Sequence, residues 1–422
     1  MKLTLTNARL IDPESGTDTL GTLQIEDGII IDISEGISEG IDCEGKCLAP
    51  GIIDIGVKIG EPGERHKESF RTAGLSAAAG GVTTMVTRPD TTPAIDSPEM
   101  LDFFRRRAAE IVPVNVLPMA ALTKGRNGNE MTEISFLCDA GAVAFTDGDR
   151  PVTNPKVLLR AMIYASDLGA LVIAHPQEPT LSKGACATSG PLATKLGLPA
   201  VSPMAERMQL ERDLALVEMS GARYHADQIT TAHSLPALQR AKAAGLNVTA
   251  GISAHHLTLN QFDIEGYRTF FKLKPPLRSE DDRLAMVEAV ASGLIDIICS
   301  MHTPQDEESK RLPFELAASG AVGLETLLPA CLQLVHAEYL DLPTLFRSLS
   351  LNPAKLLGLD SGRLAVGAPA DLILFDPDKP FVLNRADLLS KSKNTPYDLR
   401  RMQGRVLRTF VAGKQVFPAP QG

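Results

Sequence analysis

The chain has 422 residues, of which 44% are hydrophobic and 22% are charged, so it can bury a core larger than that of one small domain. Its net charge of -9 argues against a nucleic-acid or anionic-membrane partner, because both of these select a basic surface. No apolar run reaches the ~20 residues that span a bilayer. The start, "MKLTLTNARLIDPESG", alternates like a strand and lacks the apolar core of a signal peptide.

Cysteine usage favours a reducing cytoplasm, because scattered cysteines in a long chain form no disulfide framework. Only the two cysteines of "CEGKC" lie close together, and no second Cys or His pair completes a zinc site with them. We therefore interpret those two as ordinary thiols. The six cysteines are Cys43, Cys47, Cys138, Cys186, Cys299 and Cys331.

Three zones follow one another along the chain. Residues 1–50 contain short strand patterns broken by turn residues. In residues 51–340, apolar runs alternate with helical patterns, which indicates a parallel sheet covered by helices. Residues 341–422 begin with a helical stretch and return to strands and turns from about 361. We predict that residues 1–50 and 341–422 form a composite β-domain, a small sandwich, beside the zone of alternating strands.

Residues 51–340 contain eight strand candidates, a number that predicts a closed (β/α)8 barrel of the TIM type. The fold class is therefore α/β, with the small β-domain attached. The eight runs are "GIIDIGV", "GVTTMVT", "VPVNVLPM", "AVAFTD", "ALVIAH", "QITTAH", "LNVTAG" and "IDIICSMH".

Chemistry-bearing residues stand at the ends of four of these strands, where the active groups of a barrel lie. Asp147, His175, His233 and His302 end the fourth, fifth, sixth and eighth runs. One carboxylate and two imidazoles with an open position form a known zinc arrangement. The alternative is that each residue is a capped or core histidine, or an Asp that suits a turn before Gly148. Their joint placement favours an ancestral metal site and leaves its present occupancy open.

Several segments, in this order, resemble the dihydroorotases of the amidohydrolase superfamily, of the longer type found in multienzyme pyrimidine complexes. They are "APGIIDI", "EPGERHKESF", "AAAGGVTTMV", "GAVAFTDG", "FKLKPPLRSEDDRLAMVEAVASGLIDII", "SLNPAKLLGL", "GRLAVGAPADLILFDPD" and "LSKSKNTPYD". The resemblance covers nearly the whole chain. The segments "PPLRSEDDR" and "SKSKNTP" make it specific.

The resemblance implies a set of site residues. Active members hold metal with His-x-His from the first strand, a carboxylate from the fourth, His from the fifth and sixth, and Asp from the eighth. That last Asp also acts as the general base, while an Arg after His-x-His and an Asn after the second strand bind the substrate carboxylate. This chain keeps Asp147, His175 and His233 at matching positions, where they could hold a single zinc ion.

The remaining positions have changed. Gly56 and Met301 offer no ligand or base for a hard metal ion, and the Lys58 ammonium repels a dication. Gly60 and Asp90 replace the Arg and Asn that bind the substrate carboxylate, and Asp90 repels one. No catalytic residue is therefore assigned, because Met301 stands at the position of the base. The degenerate positions are Gly56, Lys58, Gly60, Asp90 and Met301, together with His302, which keeps its place.

Two functions remain in competition. The first is a non-catalytic homologue that acts as a structural partner of aspartate transcarbamoylase, a role that the resemblance implies together with a homo-oligomer. In that hypothesis Lys58 takes the place of the lost ion by neutralising Asp147 in a metal-free pocket. The second is an active cyclic-amide hydrolase with one zinc on the three retained ligands. A small-molecule binding module that uses the old pocket is a third interpretation.

Overall fold

A computed structural model describes residues 2–419 of the chain. Helix ends follow their sequence signals: the side chain of Ser69 caps the first helix in a capping box with Thr72, and Pro98 opens the second. The helices are α1 (Phe70–Ala79), α2 (Pro98–Ile111), α3 (Ile134–Asp139), α4 (Pro155–Asp167), α5 (Pro179–Ser182), α6 (Pro191–Leu196), α7 (Met204–Ser220), α8 (Leu235–Ala243), α9 (Ala254–Thr258), α10 (Glu280–Ala291), α11 (Glu307–Lys310), α12 (Leu327–His336), α13 (Leu342–Phe346) and α14 (Asn352–Leu357).

The strands alternate with these helices through the middle of the chain and gather at its two ends. They are β1 (Lys2–Asp12), β2 (Thr17–Glu26), β3 (Ile29–Ser34), β4 (Ile41–Asp42), β5 (Cys47–Pro50), β6 (Ile52–Val57), β7 (Val82–Thr87), β8 (Asn115–Pro118), β9 (Leu171–Ala174), β10 (Ala187–Thr188), β11 (Ala200–Val201), β12 (Arg223–Ala226), β13 (Val248–Ser253), β14 (Ile297–Cys299), β15 (Leu372–Val382), β16 (Arg401–Val411) and β17 (Lys414–Phe417).

The middle strands form the predicted parallel barrel. Strands β6, β7 and β8 pair in that order, and β9, β12, β13 and β14 form a second parallel sheet. Phe145 joins the two sheets through bridges to Ala120 and Val172. The last strand meets the first where the Lys58 N–H donates to the carbonyl of His302 (2.9 Å). The barrel therefore closes around eight strand positions.

Two of the eight predicted strands differ from this structure. The fourth, "AVAFTD", is reduced to the bridges of Phe145. The sixth prediction, "QITTAH", is wrong, because the strand is β12 and residues 228–233 form a loop after it. The backbone N–H groups of Thr230 and Thr231 donate to the carboxylate of Glu206 instead of to a neighbouring strand.

The strands from both ends of the chain share one sheet, ordered β17-β16-β15-β5-β1-β2-β3, with β4 beside β1. The N-terminal part meets the C-terminal part where β5 pairs antiparallel with β15. This sheet has a core of its own, which includes Leu5, Leu23, Ile25 and Phe410. A separate larger core fills the barrel layers.

One segment of the C-terminal zone, residues 388–398, lies against the barrel. The Ser392 hydroxyl donates to the carbonyl of Lys67 (2.7 Å), and the Asn394 amide donates to the carbonyl of Gly320 (3.0 Å). The Tyr397 ring stacks on His255 with 5.6 Å between ring centroids. The segment therefore supports the loops at the carboxyl ends of the barrel strands. Within residues 2–419, no helix is both long enough and apolar enough to cross a bilayer.

Candidate functional site

A cavity of about 240 Å³ opens at the carboxyl ends of the barrel strands, where barrel proteins place their active groups. Its lining is rich in charge. The lining cations are Lys58, Arg88, Arg126, Arg150 and Lys274, and the lining carboxylates are Asp90, Asp149 and Asp227.

Gly56 and Met301 fit each other at the wall of this cavity. Gly56 has a φ of +99°, and a Cβ there would stand only 2.8 Å from the Met301 sulfur. Met301 itself has a φ of +46°, a conformation that side-chain-bearing residues adopt only at a cost. The Met301 side chain therefore occupies the space beside residue 56, and a larger residue there requires Met301 to move.

Lys58 does not neutralise Asp147, which corrects our hypothesis. Its ammonium lies 2.9 Å from a Glu64 carboxylate oxygen and 3.5 Å from one of Asp90. Glu64 belongs to the loop that follows β6, and Asp90 follows β7, so both carboxylates lie beside the end of β6. Lys58 carries its positive charge into the cavity lining, where it disfavours a dication.

The Asp147 carboxylate turns away from the cavity. One oxygen accepts from the Thr123 N–H (2.9 Å), and the other accepts from the Thr123 hydroxyl. Burial raises the pKa of Asp147, although these two hydrogen bonds oppose the rise. The next residue, Gly148, lines the cavity in its place. Because glycine has no side chain, it supplies no side-chain metal ligand.

His175 does line the cavity, at the end of β9. Burial, together with the nearby charge of Lys274, lowers its pKa to about 3. The ring is therefore neutral near pH 7, and its Nε2 has no hydrogen-bond partner among residues 2–419. Of the three retained ligand candidates, His175 is the one whose side chain meets the cavity.

His233 lies in a short 3₁₀ turn, Ala232–Ser234, at the start of α8, and is not part of the cavity lining. The residues that reach the cavity after the sixth strand are Asp227 and Gln228. The Gln228 amide donates to Asp227 (3.1 Å) and to the Cys299 sulfur (3.3 Å). The match of His233 to the sixth-strand ligand followed from the wrong strand assignment, and a carboxylate and a neutral amide stand at that strand end.

These positions do not combine into a metal site. Among residues 2–419, no three His, Cys, Asp or Glu side chains converge as metal ligands. His175 would be accompanied by the Gln228 amide and the Lys58 ammonium, and an ammonium has no lone pair to donate. The donor set therefore does not fit the zinc that the resemblance implies.

The two positions for the substrate carboxylate have also changed in shape. A Cβ at Gly60 would lie 2.4 Å from the carbonyl oxygen of Glu64, so this loop leaves no room for a side chain there. Asp90 contacts the Arg88 guanidinium at 3.3 Å. Burial opposes ionisation of Asp90, but the charges of Arg88 and Lys58 hold its pKa below the usual range.

His302 is buried and belongs to a polar network, centred on Glu68, that joins two loops. Its Nε2 lies 3.4 Å from a Glu68 carboxylate oxygen, and its Nδ1 accepts from the Gly323 N–H (3.1 Å). Glu68 also accepts from the Ser390 hydroxyl and from the Lys391 N–H. The segment "SKSKNTP" thus fastens the loop after the first strand to the loop after the eighth.

The segment "PPLRSEDDR" contributes to a second polar network, centred on the buried carboxylate of Glu206. That carboxylate accepts from the Ser234 hydroxyl (2.8 Å) and lies 3.4 Å from the guanidinium of Arg278. Asp282 accepts from the Thr231 hydroxyl and the Ala232 N–H, both at 2.9 Å. This network holds the loop of residues 228–234 and so sets the position of Gln228.

Sequence reasoning missed most of the polar cavity lining. Three signals were visible in the sequence: the arginine of "TRPDTTP", the two histidines after the seventh strand and the second lysine of "KLKPP". None of them stands at a ligand position of the family. Burial lowers the pKa of His255 to about 4 and that of His256 to about 3, so both rings are neutral at pH 7. The charged, amide and imidazole lining residues missed include Arg88, Arg126, Asp149, Arg150, Asp227, Gln228, His255, His256 and Lys274.

Curated relatives match the chain from end to end. It is 41% identical to the dihydroorotase of Wolbachia sp. subsp. Drosophila simulans (strain wRi), over 99% of this chain and 96% of the relative. It is 39% identical to that of Ehrlichia chaffeensis, over 98% and 94% respectively. The chain belongs to the dihydroorotase family. The model of a family described as "Dihydro-orotase-like" matches residues 45–234 of it.

Solved structures confirm the fold of this dihydroorotase-family chain. An L-hydantoinase from Arthrobacter aurescens superposes with a TM-score of 0.88 at 24% identity, over 98% of this chain and 95% of the hydantoinase. A dihydropyrimidinase from Brevibacillus agri gives 0.85 at 20% identity, over 99% and 95%. The dihydroorotase family consists of metal-dependent amidohydrolases, generally with zinc, so the donor set of this cavity departs from the family pattern.

Proposed function

We propose that this chain is a non-catalytic dihydroorotase-family protein of pyrimidine biosynthesis and acts as a structural partner of aspartate transcarbamoylase. Membership in the family supports the pathway, and the resemblance to non-catalytic family members supports the partner. The single observation that carries the loss of catalysis is the cavity wall, where Met301 fills the space beside Gly56.

The electrostatics of the same wall support the proposal. Lys58 carries a positive charge into the lining and is held there by Glu64 and Asp90. Asp147 uses both carboxylate oxygens on Thr123. The Met301 side chain cannot accept a proton, so the general base is missing at the position where the family has it.

The intact scaffold supports a role for the protein's surface. The polar networks around Glu68 and Glu206 connect loops near the carboxyl ends of the barrel strands. Both carboxylates accept several hydrogen bonds here although the reaction centre has changed. A fold retained in this way is what a subunit of a larger assembly requires.

Catalysis is tested by assaying dihydroorotate hydrolysis with and without added zinc, alongside a metal count on protein purified without added metal. The dihydroorotase of Ehrlichia chaffeensis, measured in parallel, serves as the positive control. We expect no turnover and no stoichiometric zinc. Turnover near that of the control, lost on His175→Ala and accompanied by stoichiometric zinc, would instead establish an active zinc-dependent hydrolase and contradict the proposal.

The partner is tested by mixing the purified chain with aspartate transcarbamoylase from the same organism and separating the mixture by size. We expect co-elution and a larger, active transcarbamoylase assembly. If the transcarbamoylase reaches its full active assembly without this chain, the structural role is wrong. The same measurement on the chain alone gives its own oligomeric state, which we propose to be a homo-oligomer.

A further inference from the structure

The cavity contains buried polar atoms that have no partner. Arg88 is 6% exposed, and its Nε donates to nothing among residues 2–419; Asp90 is 8% exposed, and its Oδ1 accepts from nothing there. The Nε2 atoms of His175 and His255 are likewise without a partner. Buried polar groups are nearly always hydrogen-bonded, so these atoms mark groups that a ligand would satisfy.

The unpartnered atoms include a hydrogen-bond donor, on Arg88, and an acceptor, on Asp90. Arg88 can only donate, and its Nη2 is already shared between Asp90 (3.3 Å) and the Thr303 hydroxyl (3.3 Å). An ionised Asp90 can only accept, and Arg88 and Lys58 keep it ionised by holding its pKa low. A ligand that satisfies both must therefore carry an acceptor and a donor close together, and an ammonium group is the donor whose charge also pairs with the ionised Asp90.

The charge of the lining sets the charge of the ligand. Five cations and three carboxylates line the cavity, and Glu64, which pairs with Lys58, adds a fourth carboxylate. One positive charge remains in excess, which favours an anion. The volume of about 240 Å³ lies below the range of about 300–1,000 Å³ that drug-sized ligands occupy, so the ligand is small.

We propose that this cavity binds, without metal, a small amino acid with net negative charge, its carboxylate on Arg88 and its ammonium on the free oxygen of Asp90. Asp90 stands at the position of the Asn that binds the substrate carboxylate in the family, but its negative charge favours an ammonium there, and the carboxylate is bound instead by Arg88. The inference goes beyond the structural role proposed above, because it concerns the purified chain and a free small molecule.

The test is calorimetric titration of the purified chain, in EDTA, with L-aspartate and with succinate. These two probes share a four-carbon dicarboxylate skeleton and differ by one ammonium group. We expect L-aspartate to bind saturably and succinate to bind about tenfold more weakly or worse, because succinate leaves the buried Asp90 oxygen unpartnered. Absence of saturable L-aspartate binding, or tighter binding of succinate, would overturn the proposal.

Asp90→Asn locates the site, because it keeps the shape of the side chain and removes its charge. We expect this variant to bind L-aspartate about tenfold more weakly and to lose the preference over succinate. Asp167→Asn makes the same change at the exposed end of α4 and should leave both affinities unchanged. Equal L-aspartate affinity in Asp90→Asn and the unmodified chain would contradict the assignment.

A second variant, Arg88→Gln, removes the guanidinium and should abolish binding of both probes. If it fails to fold, Asp90→Asn alone still decides the question. A chain that binds neither probe but assembles with aspartate transcarbamoylase would refute this site and leave the structural role intact. The reverse result would refute the structural role and leave the site intact.

Discussion

The network around Glu206 and the cavity beside it are both buried and polar, but their hydrogen bonding differs. The Glu206 carboxylate accepts from the Thr230 N–H at 3.0 Å, and the Arg278 Nε donates to the Thr230 hydroxyl at 2.9 Å. The cavity instead leaves atoms of Arg88, Asp90 and His175 without a partner. Satisfied polar groups stabilise a fold, whereas unsatisfied ones indicate a place for something else to bind.

This difference separates what the chain has kept from what it has changed. The segments that most strongly indicate the family, "PPLRSEDDR" and "SKSKNTP", contribute to the polar networks around Glu206 and Glu68. Lys58, Asp90 and Met301, which depart from the family pattern, line the cavity. Measurements on the two regions should therefore give different results, and the following variants are ordered by expected effect.

The largest effect is expected for Glu206→Ala. The change leaves Arg278 buried without its partner and removes the acceptor for Thr230, Thr231 and Ser234. Breaking a buried ion pair in this way lowers the free energy of unfolding by about 3–5 kcal/mol. Urea unfolding of Glu206→Ala and of Glu211→Ala, whose carboxylate is half-exposed and paired with Arg207, provides the measurement and its control. Equal losses in the two variants would show that the network is not stabilising.

The second variant tests the fit of Gly56 against Met301. Gly56→Ala places a methyl group 2.8 Å from the Met301 sulfur at a φ of +99°, whereas Gly367→Ala meets the same strain at a φ of +90° with open space around it. We expect Gly56→Ala to be destabilised by about 1–3 kcal/mol more than Gly367→Ala, since crowding adds to the backbone strain. Both values come from urea unfolding.

Removing the Met301 side chain should relieve that crowding. In a Met301→Ala background, Gly56→Ala should cost no more than Gly367→Ala. A persistent excess would mean that Met301 is not the obstacle at position 56. It would also weaken the observation that carries the proposed loss of catalysis.

The third prediction concerns the pH dependence of the neutral cavity histidine. The pKa of His175 is lowered to about 3 in the folded chain from an ordinary value of 6.5. Below pH 6.5 His175 is protonated in the unfolded chain but stays neutral in the folded chain. The free energy of unfolding therefore decreases as the pH falls from 6.5 towards 3. The loss amounts to at most about 1.4 kcal/mol per pH unit for this histidine.

His175→Gln cannot titrate, so its free energy of unfolding should fall less between pH 7 and pH 5 than that of the unmodified chain. The comparison cancels the contributions of the other titrating groups. Identical slopes for His175→Gln and the unmodified chain would mean that His175 is not held neutral by burial.

The sequence predicted the barrel well because its signal is local. Apolar runs such as "GVTTMVT" and "ALVIAH" contain β7 and β9 within one or two residues. The sixth strand was misplaced because "QITTAH" has strand-like composition while Glu206 and Asp282, far along the chain, bind its backbone. The partners of Lys58 were missed for a similar reason, since Glu64 approaches through a loop whose path no pattern shows. Changed residue types were visible in the sequence, whereas their new contacts depend on long-range packing.

The smallest effect is expected for Lys58→Met, because both carboxylates near Lys58 have a second cation. Glu64 also pairs with Lys67, and Asp90 also pairs with Arg88. We therefore expect a loss of at most about 1 kcal/mol, close to that of Lys195→Met, whose side chain is 72% exposed. Urea unfolding measures both. A loss as large as that of Glu206→Ala would place Lys58 among the stabilising groups. Lys58 would then belong with the hydrogen-bonded scaffold and not with the groups of the cavity that are open to a ligand.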